Sequence, residues 1–430
     1  MLRFIDKFQW RGTEYIYSLP WLRNRMEYSA DPSRIKDYFR GGKFTRSQMT
    51  RDMLSRFHLS HNSIVVSDDD HAQFLRKLFR EHSPAKNQYE LMAKTLVDNL
   101  FAKEGNVSKQ QQVNISKDLI PEVYLCLLSN MLGVQILKPL EKHIRNTAFE
   151  PGTRRTRPMI FEGVMYSFGM LLPGFKPMRS VIDLLFFRGN HYTRKIAQDL
   201  ETHVFDYALP KVGSWYQTLL DLKQSGEISN NQFKGEVTSM LVSSYTLSAA
   251  LSSMLLCLAA RPEYVKKIQN DKSMADHFVN EVLRLYPPFR QFGYEKKGIW
   301  DRKDRDKKEV TDFMVSVYVL HRNEQVWDDA EEFRPERFQV SGVTRGCKFM
   351  PFGVGKRSCS GRAYSLAILS QTLKYIASEN SGFKLSLPED FESDCTGLPV
   401  GTAGRLVSFP IDDRLIVQRH LNKLAQAYAS

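Results

Sequence analysis

Apolar residues recur at helical spacing over most of the chain and form short strand-like runs at only a few places, which predicts a mainly α fold with minor β-sheets. Asp31-Pro32 reads as the cap and first position of a helix through Phe39, closed by Gly41-Gly42. Ile64-Val65-Val66 predicts a short strand. Ser67-Asp68-Asp69-Asp70-His71 then reads as an acidic helix start, followed by Phe74, Leu75, Leu78 and Phe79 at helical spacing. From Gln88 to near Phe205 the pattern is mostly helical, clearest over Leu119 to Leu132. A long helix begins near Asn230. Its part from Val237 to Ala260 is free of charge and long enough to cross a bilayer, but its many Ser and Thr residues and charged flanks predict a buried central helix. Asp276 to Pro288 predicts a further helix, halted by two prolines. A mixed-charge loop from Lys296 to Glu309 reads as a solvated hairpin tip, and Phe313 to Val319 as a strand. Short apolar runs at Leu406-Val407-Ser408-Phe409 and Leu415-Ile416-Val417 predict a small terminal sheet.

One stretch carries chemistry: Phe352-Gly353-Val354-Gly355-Lys356-Arg357-Ser358-Cys359-Ser360-Gly361. Gly353, Gly355 and Gly361 allow turn conformations and a close approach to a flat ligand. After Gly361 a helix is predicted, with Ala363, Leu366, Ala367, Leu369, Leu373 and Ile376 as its apolar face. Cys359 therefore lies just ahead of a helix N-terminus, where free N–H groups and the positive dipole end favour a thiolate. Such a thiolate serves as nucleophile, zinc ligand or haem ligand. Zinc lacks a C-x-x-C or H-x-x-x-H pair to complete its shell. Arg357 offers a guanidinium fork suited to a carboxylate such as a haem propionate, and Phe352 can screen the sulfur from water, so the neighbours favour haem.

F-G-V-G-K-R-S-C-S-G resembles the haem-binding signature of the cytochrome P450 family, F-x-x-G-x-R-x-C-x-G, departing from it at Ser360. The resemblance runs from about residue 15 to residue 420 and implies the P450 fold, with haem b held by Cys359 as axial ligand and by Phe352, Gly353, Arg357 and Gly361 around it. Ser67 to Arg76 is similar to the family's S-D-x-x-H-x-x-x-R, which implies that His71 meets a propionate. Leu75 stands at the family's Arg, and Arg76 is displaced by one residue, about 100° around a helix. Arg261-Pro262-Glu263 resembles the end of the family's central helix, which puts Thr246 at the alcohol that assists dioxygen activation. The pattern A-G-x-(D/E)-T then falls on Val242-Ser243-Ser244-Tyr245-Thr246, with Tyr245 in place of the acid. Tyr245 can donate a hydrogen bond but is a poor proton shuttle, so Ser243 and Ser244 become candidates to carry a water chain. Glu281 and Arg284 match E-x-x-R, and Arg337 in Phe333-Arg334-Pro335-Glu336-Arg337-Phe338 would complete a buried structural triad. Leu320-His321-Arg322-Asn323 resembles the turn that follows in the family. The family's strand Arg that binds a propionate falls near Tyr294, with Arg290 close by. Met159 to Tyr207 would roof the substrate pocket.

The resemblance implies a monooxygenase that uses dioxygen to oxidise a small hydrophobic metabolite. The missing acid and the aromatic roof point to an aromatic or phenolic secondary metabolite, hydroxylated or oxidatively coupled. The alternatives are a peroxide-using peroxygenase, a rearranging haem-thiolate enzyme and a non-catalytic haem protein that binds a ligand. A fatty-acid peroxygenase would place an Arg facing the haem, and none lies between Glu236 and Arg261.

Composition refines the partners. A charge of +13, from 61 basic and 48 acidic residues, favours an acidic partner by electrostatic steering. In this family that implies a ferredoxin fed by a ferredoxin reductase, or an acidic carrier protein bearing the substrate. No basic run interleaved with aromatics supports nucleic-acid binding. Five scattered cysteines, Cys126, Cys257, Cys347, Cys359 and Cys395, argue against a disulfide framework and for a reducing compartment. Met1 to Trp10 carries Arg3, Asp6 and Lys7, so the expectation is a soluble, cytoplasmic, bacterial-type member without a transmembrane anchor. No linker divides the 430 residues, which reads as one domain over 1–430.

Overall fold

A computed structural model describes residues 14–18, 25–40, 44–46, 64, 70–82, 84–101, 111–146, 209–296, 310–391 and 412–419. Strands β1 (Glu14–Ser18) and β2 (Arg25–Ser29) pair antiparallel and lead into helix α1 (Pro32–Arg40). Asp31 caps α1 as its sequence predicts: its Oδ1 accepts the Ser33 amide at 2.8 Å. β3 (Phe44–Arg46) follows, then α2 (Asp70–Glu81) and α3 (Lys86–Phe101). β4 (Gln111–Asn114) runs directly into α4 (Ile115–Cys126). The helix predicted to Leu132 does continue to that residue, but Leu127–Leu132 widens into π geometry and stops at Gly133, whose φ of 79° suits glycine. After α5 (Lys138–Asn146) come α6 (Trp215–Gln224) and the long α7 (Asn230–Ala260).

α7 is the spine of the core. It packs against α4, α6 and the π segment, and also against α9 (Met274–Leu285) and α11 (Arg362–Ala377), while the short α8 (Glu263–Asn270) follows its end. Among the described residues α7 is the helix long and apolar enough to cross a membrane; 81% of its most apolar window is buried against the rest of the protein. That burial explains its lack of a polar face: neighbours surround it on several sides.

β5 (Gln291–Lys296) and β6 (Val310–Ser316) complete a five-stranded sheet in the order β1-β2-β6-β5-β3, in which β2 and β6 are parallel. The strand predicted through Val319 ends three residues early. Ser316 turns the chain, its Oγ accepting the Val319 amide at 3.4 Å, and Val317–Leu320 forms one helical turn, α10. A local cap outweighs the strand preference of Val317 and Val319. β8 (Arg414–Arg419), which includes Leu415-Ile416-Val417, pairs with β4 on one side and with β7 (Phe383–Ser386) on the other in a three-stranded antiparallel sheet.

Three further expectations are corrected. Ile64 lies in a turn, and Val65 and Val66 fall outside the described residues. On α2, Leu75 and Phe79 are buried but Phe74 is 43% exposed, because it points one step away from the core stripe. On α11 the buried face is Tyr364, Ile368, Leu369, Leu373 and Ile376, while Ala363 is exposed. The segments at Met159 to Tyr207 and Leu406 to Phe409, and Cys395, lie outside the described residues.

Candidate active site

The cysteine loop is assembled by backbone contacts ahead of α11. The Cys359 amide donates to the Phe352 carbonyl at 2.8 Å, folding the stretch into a closed turn, and the Arg362 amide donates to the Cys359 carbonyl at 3.3 Å. Gly353 and Gly355 have φ of 67° and 64°, so a side chain at either would be strained. A Cβ at Gly353 would also lie 3.5 Å from the Tyr294 hydroxyl, which shows how closely β5 approaches the loop. Gly361 is the residue before α11 and faces the Cys359 Sγ and the Met131 methyl. Cys359 is exposed, Arg357 is buried and Phe352 is half-buried.

Below the loop, the structure brings Glu281, Arg284 and Arg337 together. Arg284 binds Glu281 through two hydrogen bonds of 2.8 Å, with both side chains 0% exposed. Its Nη1 donates to the carbonyls of His321 and Ala330, each at 2.6 Å, and its Nη2, besides binding Glu281, donates to that of Glu332 at 2.9 Å. Arg337 reaches Glu281 Oε1 at 3.2 Å, and the Arg334 amide donates to that same oxygen at 2.7 Å. The charges are thus paired and nearly saturated with hydrogen bonds, the condition under which a buried ion network is tolerated.

His321, singled out only as part of a turn, links this network to the cysteine loop. Its Nδ1–H donates to the Arg284 carbonyl at 3.0 Å, and its Nε2 accepts the Met350 amide at 2.9 Å. Because that amide can only donate, Nε2 must be unprotonated. Burial and then the neighbouring Arg284 charge push this imidazole down to about 3. A histidine inside an apolar run was the available signal.

On α7, Ser243, Ser244, Tyr245 and Thr246 follow one another around the helix. Thr246 Oγ1 donates to the Ser243 carbonyl at 2.9 Å, and Ser243 Oγ to the Ser239 carbonyl at 3.1 Å. Ser244 is fully buried, while Ser243 and Thr246 are half-buried. Tyr245 packs against the apolar core, so its ring is a packing element as well as a hydroxyl carrier.

At the start of α2, His71 Nε2 is buried and has no hydrogen-bond partner among the described residues. A buried imidazole nitrogen without a partner costs free energy, and a carboxylate from a bound group would relieve it. Arg76 is used differently: its guanidinium donates twice to the Ile64 carbonyl, at 3.0 and 2.5 Å. Arg290 stacks on the Tyr318 ring at 4.1 Å.

The family model described as Cytochrome P450 matches residues 6–376. The chain belongs to the cytochrome P450 family. Members of this family bind haem, iron protoporphyrin IX, and are haem-thiolate monooxygenases that take electrons from redox partners. The residues present fit that group: a cysteine at a helix entrance, a glycine-shaped loop, a buried Arg357 and the partnerless His71 nitrogen. Among P450 relatives, taurochenodeoxycholic 6 alpha-hydroxylase of Sus scrofa is 28% identical over 165 residues, 34% of this chain and 33% of the relative. Cytochrome P450 3A29 of Sus scrofa is 26% identical over 50% of this chain and 48% of its own length. The bifunctional cytochrome P450/NADPH–P450 reductase 2 of Bacillus subtilis (strain 168) is 30% identical over 36% of this chain and 17% of its own length. The chain matches about a third of the length of the first of these relatives.

Proposed function

We propose that this protein is a haem-thiolate monooxygenase with Cys359 as its metal ligand. The observation that carries this reading is the cysteine turn at the entrance of α11, tied through Met350, His321 and Arg284 to the buried Glu281. When bound, haem supplies the oxidising chemistry, and the thiolate makes its iron electron-rich. The chain's own residues hold and aim. Arg357 and His71 are assigned to the propionates, Phe352 shields the sulfur, and Gly353 and Gly361 leave room for the macrocycle. Glu281, Arg284 and Arg337 hold the loop in place. Thr246 keeps its hydroxyl proton on the Ser243 carbonyl, and rotation of Oγ1 makes that proton available on the pocket side. Ser243 is assigned to the same proton-handling face, and Tyr245, which stands at the position of the family's acid, to the turn beside Thr246.

The test is the reduced carbon monoxide complex, whose main band is red-shifted by a thiolate ligand. Cys359→Ala is expected to abolish that band, and its persistence would refute the ligand assignment.

For the substrate, our reading is a small aromatic or phenolic secondary metabolite that is hydroxylated or oxidatively coupled. It is supported by Tyr245 standing where an acid would be: a guest with its own hydroxyl could bring the missing proton. Product analysis under labelled dioxygen, with a panel of phenols and aliphatic acids, decides it; aliphatic hydroxylation without phenol turnover would rule it out. The same departure at Tyr245 favours a second reading, in which peroxide replaces dioxygen and the proton demand falls. We assign the electrons to a ferredoxin and its reductase, drawn by the +13 charge, with a carrier protein as a further acidic partner. An NADPH–P450 reductase, as in the name of the Bacillus subtilis relative, is the other donor class. A soluble, single-domain, cytoplasmic protein is our reading of its setting, supported by the lack of a disulfide among the described cysteines, Cys126, Cys257, Cys347 and Cys359.

A further inference from the structure

Glu236 is a fully buried carboxyl on α7 that has no place in the site so far described. Its Oε1 accepts the Ile64 amide at 2.7 Å, whereas its buried Oε2 has no hydrogen-bond partner among the described residues. Burial pushes the carboxyl up to about 8; the Ile64 amide and the Arg76 charge, the groups facing it, pull it down without cancelling that effect. The side chain therefore carries its proton at neutral pH.

From Glu236 a line of hydroxyls runs along one face of α7. Ser239, Ser243 and Thr246 lie three, seven and ten residues further on, within about 80° of one another and of Glu236 around the helix. Each bonds to the member before it: Ser239 Oγ donates to the Glu236 carbonyl at 2.5 Å, Ser243 Oγ to the Ser239 carbonyl and Thr246 Oγ1 to the Ser243 carbonyl. With their hydrogens directed at carbonyls, these oxygens keep lone pairs that can accept a proton. Neighbours on such a face stand about 5–6 Å apart, a gap that one bridging water closes. Exposure rises along the line, from buried Ser239 to half-buried Ser243 and Thr246.

We propose that Glu236 is the proton store of this site, its Oε2 proton reaching Thr246 through Ser239, Ser243 and intervening waters. The inference rests on reading Thr246 as the alcohol on the dioxygen side of the pocket. The proton leaves Oε2, each hydroxyl accepts one and releases its own, and the carboxylate left behind is stabilised by Arg76 until solvent reprotonates it. The chain thereby replaces, from nine residues away, the acid that Tyr245 cannot supply.

The experiment uses the haem-loaded full chain, reduced with dithionite and mixed with dioxygen, the reoxidation rate being followed against pH in H2O and D2O. Wild-type protein is expected to slow in D2O and to slow again as pH rises past about 8. Glu236→Gln, which keeps an acceptor for the Ile64 amide, is expected to react several-fold more slowly and to lose that pH step; Ser239→Ala and Ser243→Ala should do the same. Thr238→Ala serves as control, since its hydroxyl lies on the other face of α7 and donates to the Lys234 carbonyl at 2.8 Å. Infrared difference spectra give an independent readout: wild type at pH 7 should show a carboxylic-acid band that Glu236→Gln removes. Absence of that band, or a Glu236→Gln protein with the wild-type rate and pH step, overturns the proposal. Thr246→Val separates the two levels. If it slows the reaction while Glu236→Gln does not, only the proton store is lost; if it too behaves as wild type, the reading of Thr246 fails.

Discussion

Two buried carboxyl side chains of this protein, Glu281 and Glu236, are treated in opposite ways. On the cysteine side, Glu281 and Arg284 have no exposure, yet their polar atoms are committed to one another, to Arg337, to the Arg334 amide and to three carbonyls. On the α7 side, Glu236 Oε2 and the hydroxyls of Ser248 and Ser252 are buried with no hydrogen-bond partner among the described residues. A saturated network has one low-energy arrangement and so holds a loop rigidly. An unsaturated carboxyl such as Glu236 keeps a proton position and a water site open, which suits a group that must move protons.

The comparison is broken most directly at Glu281. Glu281→Ala leaves the Arg284 charge buried without its carboxylate, and a loss of about 3–5 kcal/mol is expected, measured by denaturant unfolding together with poor haem loading. Unchanged unfolding would mean that the network does not support the loop. Arg337→Ala should cost less, about 1.5–3 kcal/mol, because Glu281 keeps both bonds to Arg284.

Acid should act on the saturated side through His321. Its folded value of about 3 lies below the ordinary 6.5, so between these pH values the unfolded chain binds a proton that the folded one does not. Stability from this group is therefore present above about pH 6.5 and lost as pH falls, by up to about 1.4 kcal/mol per unit. Melting curves of wild type and His321→Gln should converge as the pH is lowered; parallel curves would show that His321 is already charged in the fold.

The smallest effects are expected on the open side. Ser248→Ala and Ser252→Ala remove hydroxyls that make no hydrogen bond among the described residues, so stability should stay within about 1 kcal/mol or rise slightly. A large loss at either would reveal a structural water and weaken the contrast.

The local features of this protein follow from sequence alone because they depend on neighbours a few residues apart. Asp31 caps α1 because its side chain reaches an amide two residues on, and the E-x-x-R spacing puts Glu281 and Arg284 on one helix face. The glycines of the cysteine loop, the helix after Gly361 and the uncharged run of α7 belong to the same class, as does the family, which rests on a contiguous motif. Other features were decided only by tertiary contacts. Strand preference predicted β through Val319, but a hydroxyl cap at Ser316 turned the chain. His321 gained its role from Met350 and Arg284, 29 and 37 residues away, and Arg76 is turned to the Ile64 carbonyl. Glu236 reads in sequence as the last charge before an apolar helix; desolvation by the rest of the fold, which the amide of Ile64, 172 residues away, offsets only in part, is what pushes its carboxyl up. Helical spacing determines which residues share a face, whereas desolvation and the identity of the partner depend on what the rest of the chain folds against that face.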